Sequence, residues 1–334
     1  MKIIIPMAGW GSRLRPHTLT VPKPMVHIAG KPIVQWLVEN LAKSVEGTIE
    51  EVHFIIREEF GKATEEKLME VAASLGTKGM ISYQDSPEGT AHAIYCAKES
   101  LDGNVIVAFA DTLFKTDFTI DPSKDGVIWV NKIDDPSAFG VVKLDADNVI
   151  TDFVEKPQEF VSDLAIIGIY YFKDGAALKS EIEYLLDNDI REKGEYQLTN
   201  ALENLKQKGA KFVPGEVIEW LDCGNKNACI YTNQRILEFI KEEEQIKFSD
   251  SFENTIVIEP CYIGKDVSLK NTIVGPHVSI GNGTSIENSI LKNSIVQQDT
   301  HLDGLILENA MIGSKATIIK KAKDLSLGDY TTIK

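Results

Sequence analysis

Between Ala8 and Lys23 the chain sets Gly9, Gly11 and Ser12 beside Arg13, Arg15 and Lys23, with prolines at 16, 22 and 24. Glycines leave backbone N–H groups free to converge on an anion, and the cations supply its counter-charge, so phosphate is the ligand these residue types suit. Charge distribution sharpens the point. The chain has 35 Lys and Arg against 50 Asp and Glu, a formal charge of −15, yet Glu39 is its first acidic residue and five cations precede it: Lys2, Arg13, Arg15, Lys23 and Lys31. An acidic protein that binds a polyanion must gather positive charge locally, because its overall field repels the ligand. The same acidity argues against nonspecific binding to nucleic acid or to an anionic membrane surface. No apolar run approaches the roughly 20 residues that a membrane-spanning helix needs.

The elements that would position this loop can be read outward from it. Ile3, Ile4 and Ile5 form a continuous apolar run of the kind found in a buried parallel strand. Two common phosphate loops are excluded by spacing: there is no Gly-Lys-Ser/Thr, and Leu14 stands where a dinucleotide fingerprint needs its third glycine. Apolar residues at helical spacing over 33–45, a strand over 52–56, a helix near 60–75 and a strand near 80–83 predict a parallel sheet with crossover helices. In such a sheet, ligands collect beyond the carboxyl ends of the strands. Gln84 to Ala93 falls there. Gln84 offers a donor and an acceptor to the imide edge of uracil or thymine, and Gly89 allows a base to approach the backbone. Residues 104–110 read as another buried strand, and Asp111 follows it, where a carboxylate needs a cation or water. Magnesium bridging nucleotide phosphates would satisfy it. Further strands are expected over 126–131, 138–144, 149–154 and 164–172, with helices over 175–186 and from the segment 194–199.

The segment Ala8-Gly-Trp-Gly-Ser-Arg-Leu14, continued by Pro16, Thr18 and Pro22-Lys-Pro-Met25, resembles the signature of the sugar nucleotidyltransferases. Its loop is one residue shorter than the Gly-Gly-x-Gly form of many members, as in the bacterial UDP-glucose pyrophosphorylases. The resemblance implies a nucleotide site at Ala8, Gly9, Gly11, Ser12, Arg13, Lys23, Gln84, Gly89 and Thr90. It implies a sugar-phosphate site at Gly140, Glu155, Lys156 and Lys193, and magnesium ligands at Asp111 and Asp222. Asp111 stands here in Ala-Asp-Thr where the family usually has Gly-Asp-Asn, and Asp222 in Trp-Leu-Asp-Cys-Gly. The implied reaction is attack by a sugar 1-phosphate on the α-phosphorus of a nucleoside triphosphate, with Arg13, Lys23, Asp111, Lys156 and Asp222 carrying the chemistry. Glucose 1-phosphate with dTTP or UTP is the favoured pair, of the glucose-1-phosphate thymidylyltransferase type. Mannose 1-phosphate with GTP, a bifunctional uridylyl- and acetyltransferase, and a catalytically silent nucleotide-sugar sensor remain as alternatives.

From Ile256 the texture changes: aliphatic residues recur every five or six positions with Gly or Asn between them, the pattern of a left-handed parallel β-helix of imperfect hexapeptides. The expected fold is therefore an α/β, Rossmann-like nucleotidyltransferase domain over 1–245 with a mixed, mainly parallel sheet, a helix over 225–245, and a short β-helix domain over 250–334. Roughly 17 residues per turn would give three to four coils, which are expected to assemble a homo-oligomer, a dimer or tetramer, or to carry regulation. The four cysteines and six histidines show no metal-binding spacing, and no charged-then-apolar export segment stands at the amino end, so reduced thiols and a cytoplasmic location are expected.

Overall fold

A computed structural model describes residues 1–116, 119–243 and 252–320. The boundaries expected at 245 and 250, the end of the helix expected to reach 245, and residues 321–334 of the expected β-helix domain lie outside the described residues. Two compact units emerge: residues 1–26 with 31–225, and residues 27–30 with 226–334.

The first unit is built on a nine-stranded sheet. β1 (Lys2–Pro6), β2 (Glu51–Ile56), β3 (Lys78–Tyr83) and β4 (Val105–Ala108) run parallel in the order β4-β1-β2-β3, joined by α1 (Ile33–Lys43), α2 (Gly61–Ser74) and α3 (Thr90–Tyr95). Ile3, Ile4 and Ile5 are fully buried, as both faces of such a strand must be when helices cover them. β5 (Thr112–Lys115) leaves the main sheet, and then the direction reverses. Beyond β4 lies the antiparallel part, with β6 (Gly126–Lys132), β7 (Gly140–Leu144), β8 (Ile150–Glu155) and β9 (Leu164–Phe172), where β9 pairs with β4, β6 and β7. α4 (Gly175–Asp187) and α5 (Leu198–Gln207) follow, then β10 (Phe212–Glu216), parallel to β6, and β11 (Glu219–Asp222), antiparallel to β5. The segment 194–199 mostly precedes α5 rather than forming it, because the helix begins at Leu198.

Two local features shape the cleft. The pairing of β9 with β6 shifts register between Ile166 and Tyr170, so Ile167 and Gly168 bulge out of the ladder. Their carbonyls are taken instead by Thr112 Oγ1 at 2.7 Å and Phe109 N at 2.9 Å, which pins the turn carrying Asp111. The fully buried Trp129 packs from β6 toward β10, where a Cβ on Gly215 would come within 3.2 Å of its ring.

In the second unit, α6 (Lys226–Glu243) precedes three four-stranded parallel sheets that form the sides of a β-helix. Corresponding residues repeat as Ile256, Ile273, Ile290 and Ile306 on one side and Leu269, Ile286, Leu302 and Ile318 on another, which makes four coils among the described residues. Val274, Leu291, Ile280, Ile286 and Leu302 fill the axis and are buried. At the corners Asn254, Asn271 and Asn288 take positive φ and bond in series, Asn254 Nδ2 to Asn271 Oδ1 at 2.9 Å and Asn271 Nδ2 to Asn288 Oδ1 at 3.1 Å. Asparagine tolerates that conformation and its amide satisfies itself against the next coil, which explains why the repeat shows asparagine as well as glycine. Buried Asn233 of α6 accepts from Ala29 N at 2.9 Å and Ser279 Oγ at 2.6 Å within this unit.

Candidate functional site

β1 ends in the loop that the sequence singles out. Gly11 adopts φ +61 and its carbonyl accepts from Leu14 N at 3.0 Å and Thr18 Oγ1 at 2.8 Å, folding Ser12–Leu14 into a single 3₁₀ turn. A Cβ on Gly11 would stand 2.8 Å from Lys23 Cβ, so glycine is required both for the conformation and for the close approach. Nothing lies within 4 Å of the position a Cβ would take on Gly9, so that glycine faces open space. Gly9, Gly11, Ser12, Arg13 and Lys23 line one cavity of about 300 Å³ with Phe109, Asp111 and Gly224.

A second cavity, about 460 Å³, shares Arg13, Phe109 and Asp111 with the first. Its further lining includes Thr90, Gly140, Glu155, Lys156, Thr199 and Asp222. The two spaces thus meet at Asp111 and Arg13. Asp111 and Asp222 are far apart in sequence but are brought together by β5 and β11, which pair Thr112 with Asp222, while Cys223 N donates to Asp111 O at 3.0 Å.

Electrostatics distinguish the two aspartates. Lys23 Nζ, largely buried, bonds Asp111 Oδ2 at 2.8 Å. Burial raises the Asp222 carboxyl above its ordinary value; the Gly224 amide opposes this, Asp111 adds to it, and Lys23 and Arg13 pull it down. Two carboxylates that repel one another at a cleft are a donor set that a hard divalent cation fits. Among the described residues no group of three or more His, Cys, Asp or Glu gathers as a metal site, so any ion here would complete its shell with water and phosphate oxygens, the habit of magnesium.

Around the second cavity, Glu155 ends β8 with its side chain largely buried, and its Oε1 lies 3.5 Å from Lys156 Nζ. Lys156 takes φ +44 and its N–H donates to Phe139 O at 3.1 Å, which turns the chain sharply there. A Cβ on Gly140 would lie 3.1 Å from Glu155 Oε2, so the bare glycine leaves that carboxylate room. Burial, and secondarily the Glu155 charge, pushes the Tyr170 phenol upward, so Tyr170 stays neutral beside it. Thr199 Oγ1 and Trp220 Nε1 are buried with no hydrogen-bond partner among the described residues, and both residues line this cavity. Groups left unpaired at a cavity wall can serve a polar guest.

The remaining predicted residues are placed less uniformly. Gln84 is almost buried after β3; its Nε2 donates to Gly89 O at 3.2 Å and lies 3.1 Å from His92 Nδ1. The carbonyl of Gly89 can only accept, so the amide nitrogen is the Gln84 atom engaged there. Gln84 and Gly89 are not in the lining of either cavity, although Thr90 is. Gly89 has φ +109 and packs where a Cβ would meet Tyr196 O at 2.5 Å, a requirement set by the protein's own backbone. Ala8 also stays out of the lining, because its carbonyl turns back to Arg57 Nε at 2.8 Å. Lys193 is outside both cavities, with Nζ 3.5 Å from the Glu155 carbonyl. Arg57, Tyr170 and Gln197 were not singled out by sequence reasoning. For Gln197 the available signal was its place in the segment 194–199 ahead of an expected helix; for Tyr170 there was only its place in the apolar strand over 164–172.

The parallel half of the sheet thus ends in a glycine-rich cationic loop, and two aspartates from separate segments stand in the lining of the neighbouring cavities of this α/β domain. A family model described as nucleotidyl transferase matches residues 2–238, and the chain belongs to that family, as its opening loop suggested. Similar proteins include the bifunctional protein GlmU of Methanococcus vannielii, 30% identical over 265 residues, covering 77% of this chain and 59% of that protein. The low-salt glycan biosynthesis nucleotidyltransferase Agl11 of Haloferax volcanii is 30% identical over 247 residues, 71% of this chain and 66% of its own length. The mannose-1-phosphate guanylyltransferase catalytic subunit beta of Drosophila pseudoobscura pseudoobscura is 35% identical over 192 residues, 54% of this chain and 50% of its own. The chain thus spans about three fifths of the GlmU relative. No helix among the described residues is long and apolar enough to cross a membrane.

Proposed function

We propose that this protein transfers a nucleotidyl group from a pyrimidine nucleoside triphosphate, dTTP or UTP, to a hexose 1-phosphate, with glucose 1-phosphate the favoured acceptor. The observation that carries the reading is the pair of neighbouring cavities: one of about 300 Å³ walled by Gly9, Gly11, Ser12, Arg13 and Lys23 shares Arg13, Phe109 and Asp111 with a larger one walled by Glu155, Lys156 and Thr199. A donor and an acceptor that must meet at one phosphorus need that layout.

The nucleophile, a phosphate monoester oxygen, is already anionic at neutral pH, so no side chain has to remove its proton. What the protein must supply is alignment and cancellation of charge as pyrophosphate departs. Gly9 and Gly11 N–H groups with Arg13 bind the β- and γ-phosphates. Lys23, released from Asp111 when the nucleotide arrives, holds the leaving pyrophosphate. Lys156 draws in the sugar phosphate, and Glu155 accepts from sugar hydroxyls, with Thr199 and Trp220 as further partners. Asp111 and Asp222 would hold magnesium, which supplies Lewis-acid neutralisation of phosphate charge when bound. Gln84 Oε1, with its amide nitrogen already engaged, accepts from the imide N–H of the base.

A second reading, guanylyl transfer to mannose 1-phosphate, is favoured by the 35% identity to a protein named for that reaction, and guanine also presents an N–H to an acceptor. Pyrophosphate release from UTP, dTTP and GTP, each with glucose 1-phosphate, N-acetylglucosamine 1-phosphate and mannose 1-phosphate, separates them. Product from UTP or dTTP is expected, and product from GTP alone would overturn the pyrimidine reading. Consumption of acetyl-CoA by the same protein would instead favour a bifunctional enzyme, as the name of the GlmU relative indicates for that protein.

A further inference from the structure

Arg57 immediately follows β2 and is only 6% exposed. Its partners are two carbonyls and an indole. Nε donates to Ala8 O at 2.8 Å, Nη1 donates to Asp85 O at 2.9 Å, and the guanidinium lies 4.5 Å from the centre of the Trp10 ring. Ala8 and Trp10 belong to the phosphate loop, and Asp85 to the loop that begins with Gln84. One buried cation therefore spans the two segments to which the nucleotide's tail and its base are assigned.

The placement matters because the sheet itself stops short of these loops. The ladder between β1 and β2 ends at Pro6 and Ile55, and that between β2 and β3 at Ile56 and Tyr83. One further backbone bond follows on each side, Met7 N to Ile55 O at 2.8 Å and Gln84 N to Ile56 O at 2.8 Å. Beyond that point Arg57 takes over, helped by Glu58 N donating to Asp85 Oδ1 at 3.1 Å. In a trans peptide the C=O and the following N–H point in opposite directions, so holding the Ala8 carbonyl aims the Gly9 N–H away from Arg57. Gly9, not Ala8, lines the phosphate cavity. The bond to Asp85 O orients the Asp85–Ser86 peptide in the same way.

We propose that Arg57 is a positioning residue that sets the separation and orientation of the phosphate loop relative to the base-reading loop, and so governs the affinity for an intact nucleotide more than for either of its parts. This rests on the nucleotidyl-transfer reading above. A ligand that touches both loops gains from their fixed spacing, because binding one end places the other at high effective concentration. A ligand that touches only one loop gains nothing from it.

Arg57→Gln and Arg57→Lys are compared with the wild type in both directions of the reaction, using whichever of UTP, dTTP and GTP the wild type turns over. The KM for the triphosphate is expected to rise at least tenfold, while KM for the sugar 1-phosphate stays within about threefold and KM for pyrophosphate in the reverse direction, which senses the orientation of the phosphate loop but not the spacing of the two loops, rises by clearly less than the triphosphate KM. Arg57→Lys keeps one donor and should fall between wild type and Arg57→Gln. Trp10→Ala, which removes the ring without touching either carbonyl, should show a weaker form of the same pattern. An unchanged triphosphate KM, or a proportional rise for all three substrates, overturns the proposal. If Arg57→Gln fails to fold, the lysine and tryptophan variants decide by the same ratios. Wild-type turnover in these assays tests the functional reading separately, since its absence bears on that reading and not on the ratios.

Discussion

Replacing Asp222 by Asn should make the metal-free protein more stable and the enzyme nearly inactive. In the native state burial raises the Asp222 carboxyl above its ordinary value, with the charge of Asp111 adding to the effect. The folded protein therefore binds a proton more tightly at this site than the unfolded chain does. Stability from this group is complete below the unfolded carboxylate value near 3.9, falls as pH rises toward the elevated native value, and stays reduced above it. At pH 7–8 the ionised carboxylate is a cost, of about 1.4 kcal/mol for each pH unit of displacement. Asn keeps an oxygen for the Gly224 N–H and removes the charge. Each kcal/mol regained should appear as a rise of roughly 2–4 °C in Tm for a domain of this size. Magnesium should reverse the order. A ligand at a hundred times its Kd adds about 2.7 kcal/mol to the wild type, and the variant should lose most of that gain. Loss of one group that offsets charge in the transition state costs roughly 10²- to 10³-fold in kcat. The assay is a thermal melt between pH 5 and 9, with and without MgCl₂ and triphosphate, alongside pyrophosphate release. A lower Tm for Asp222→Asn in metal-free buffer at pH 8, or a variant that keeps both the magnesium response and the activity, would refute the reasoning.

Lys23→Met leaves Asp111 without its 2.8 Å partner and removes a cation from the cavity lined by Gly9, Gly11 and Arg13, so turnover should fall about 10²-fold or more, with KM for the sugar phosphate little changed. His53 is buried between Ser100 Oγ at 2.6 Å and Ser82 Oγ at 2.8 Å, and burial holds its imidazole below the usual value, against the opposing charge of Glu51. The unfolded chain therefore takes up the proton first, so wild-type stability should decline as pH falls below about 6.5. His53→Gln should lose that limb in urea titrations while costing roughly 1–3 kcal/mol at pH 8. Gly275 takes φ +108, and a Cβ there would lie 1.9 Å from Ile258 O, so Gly275→Ala should destabilise the β-helix by about 3 kcal/mol or more, read as a lowered urea midpoint for that unit.

What could be read from the sequence was whatever the chemistry concentrates locally. The Gly9–Lys23 loop needs its glycines and cations within one turn of chain, and the structure gathers Gly9, Gly11, Ser12, Arg13 and Lys23 around one cavity. The β-helix was legible because every coil repeats the same packing, here at spacings of 17, 17 and 16 residues along Ile256, Ile273, Ile290 and Ile306. Asp111 and Asp222 needed a family resemblance, since only the pairing of β5 with β11 makes them neighbours. Arg57 escaped altogether. It stands at the head of an acidic, surface-like stretch, and nothing in its neighbours' types shows that its side chain turns inward to two carbonyls. Lys193 was drawn in by its segment, and its amine lies outside the lining of both cavities, 3.5 Å from the Glu155 carbonyl. β10 also went unread, because Pro214 and Gly215 interrupt its pattern although it pairs in parallel with β6.

The most direct test is a crystal structure of the protein with magnesium and a non-hydrolysable analogue of the triphosphate it turns over. The expected result is a polyphosphate tail held by Gly9, Gly11, Arg13 and Lys23, with the metal on Asp111 and Asp222 and Lys23 withdrawn from Asp111. A tail bound away from the Gly9–Arg13 loop, or a metal that touches neither aspartate, would contradict the central claim.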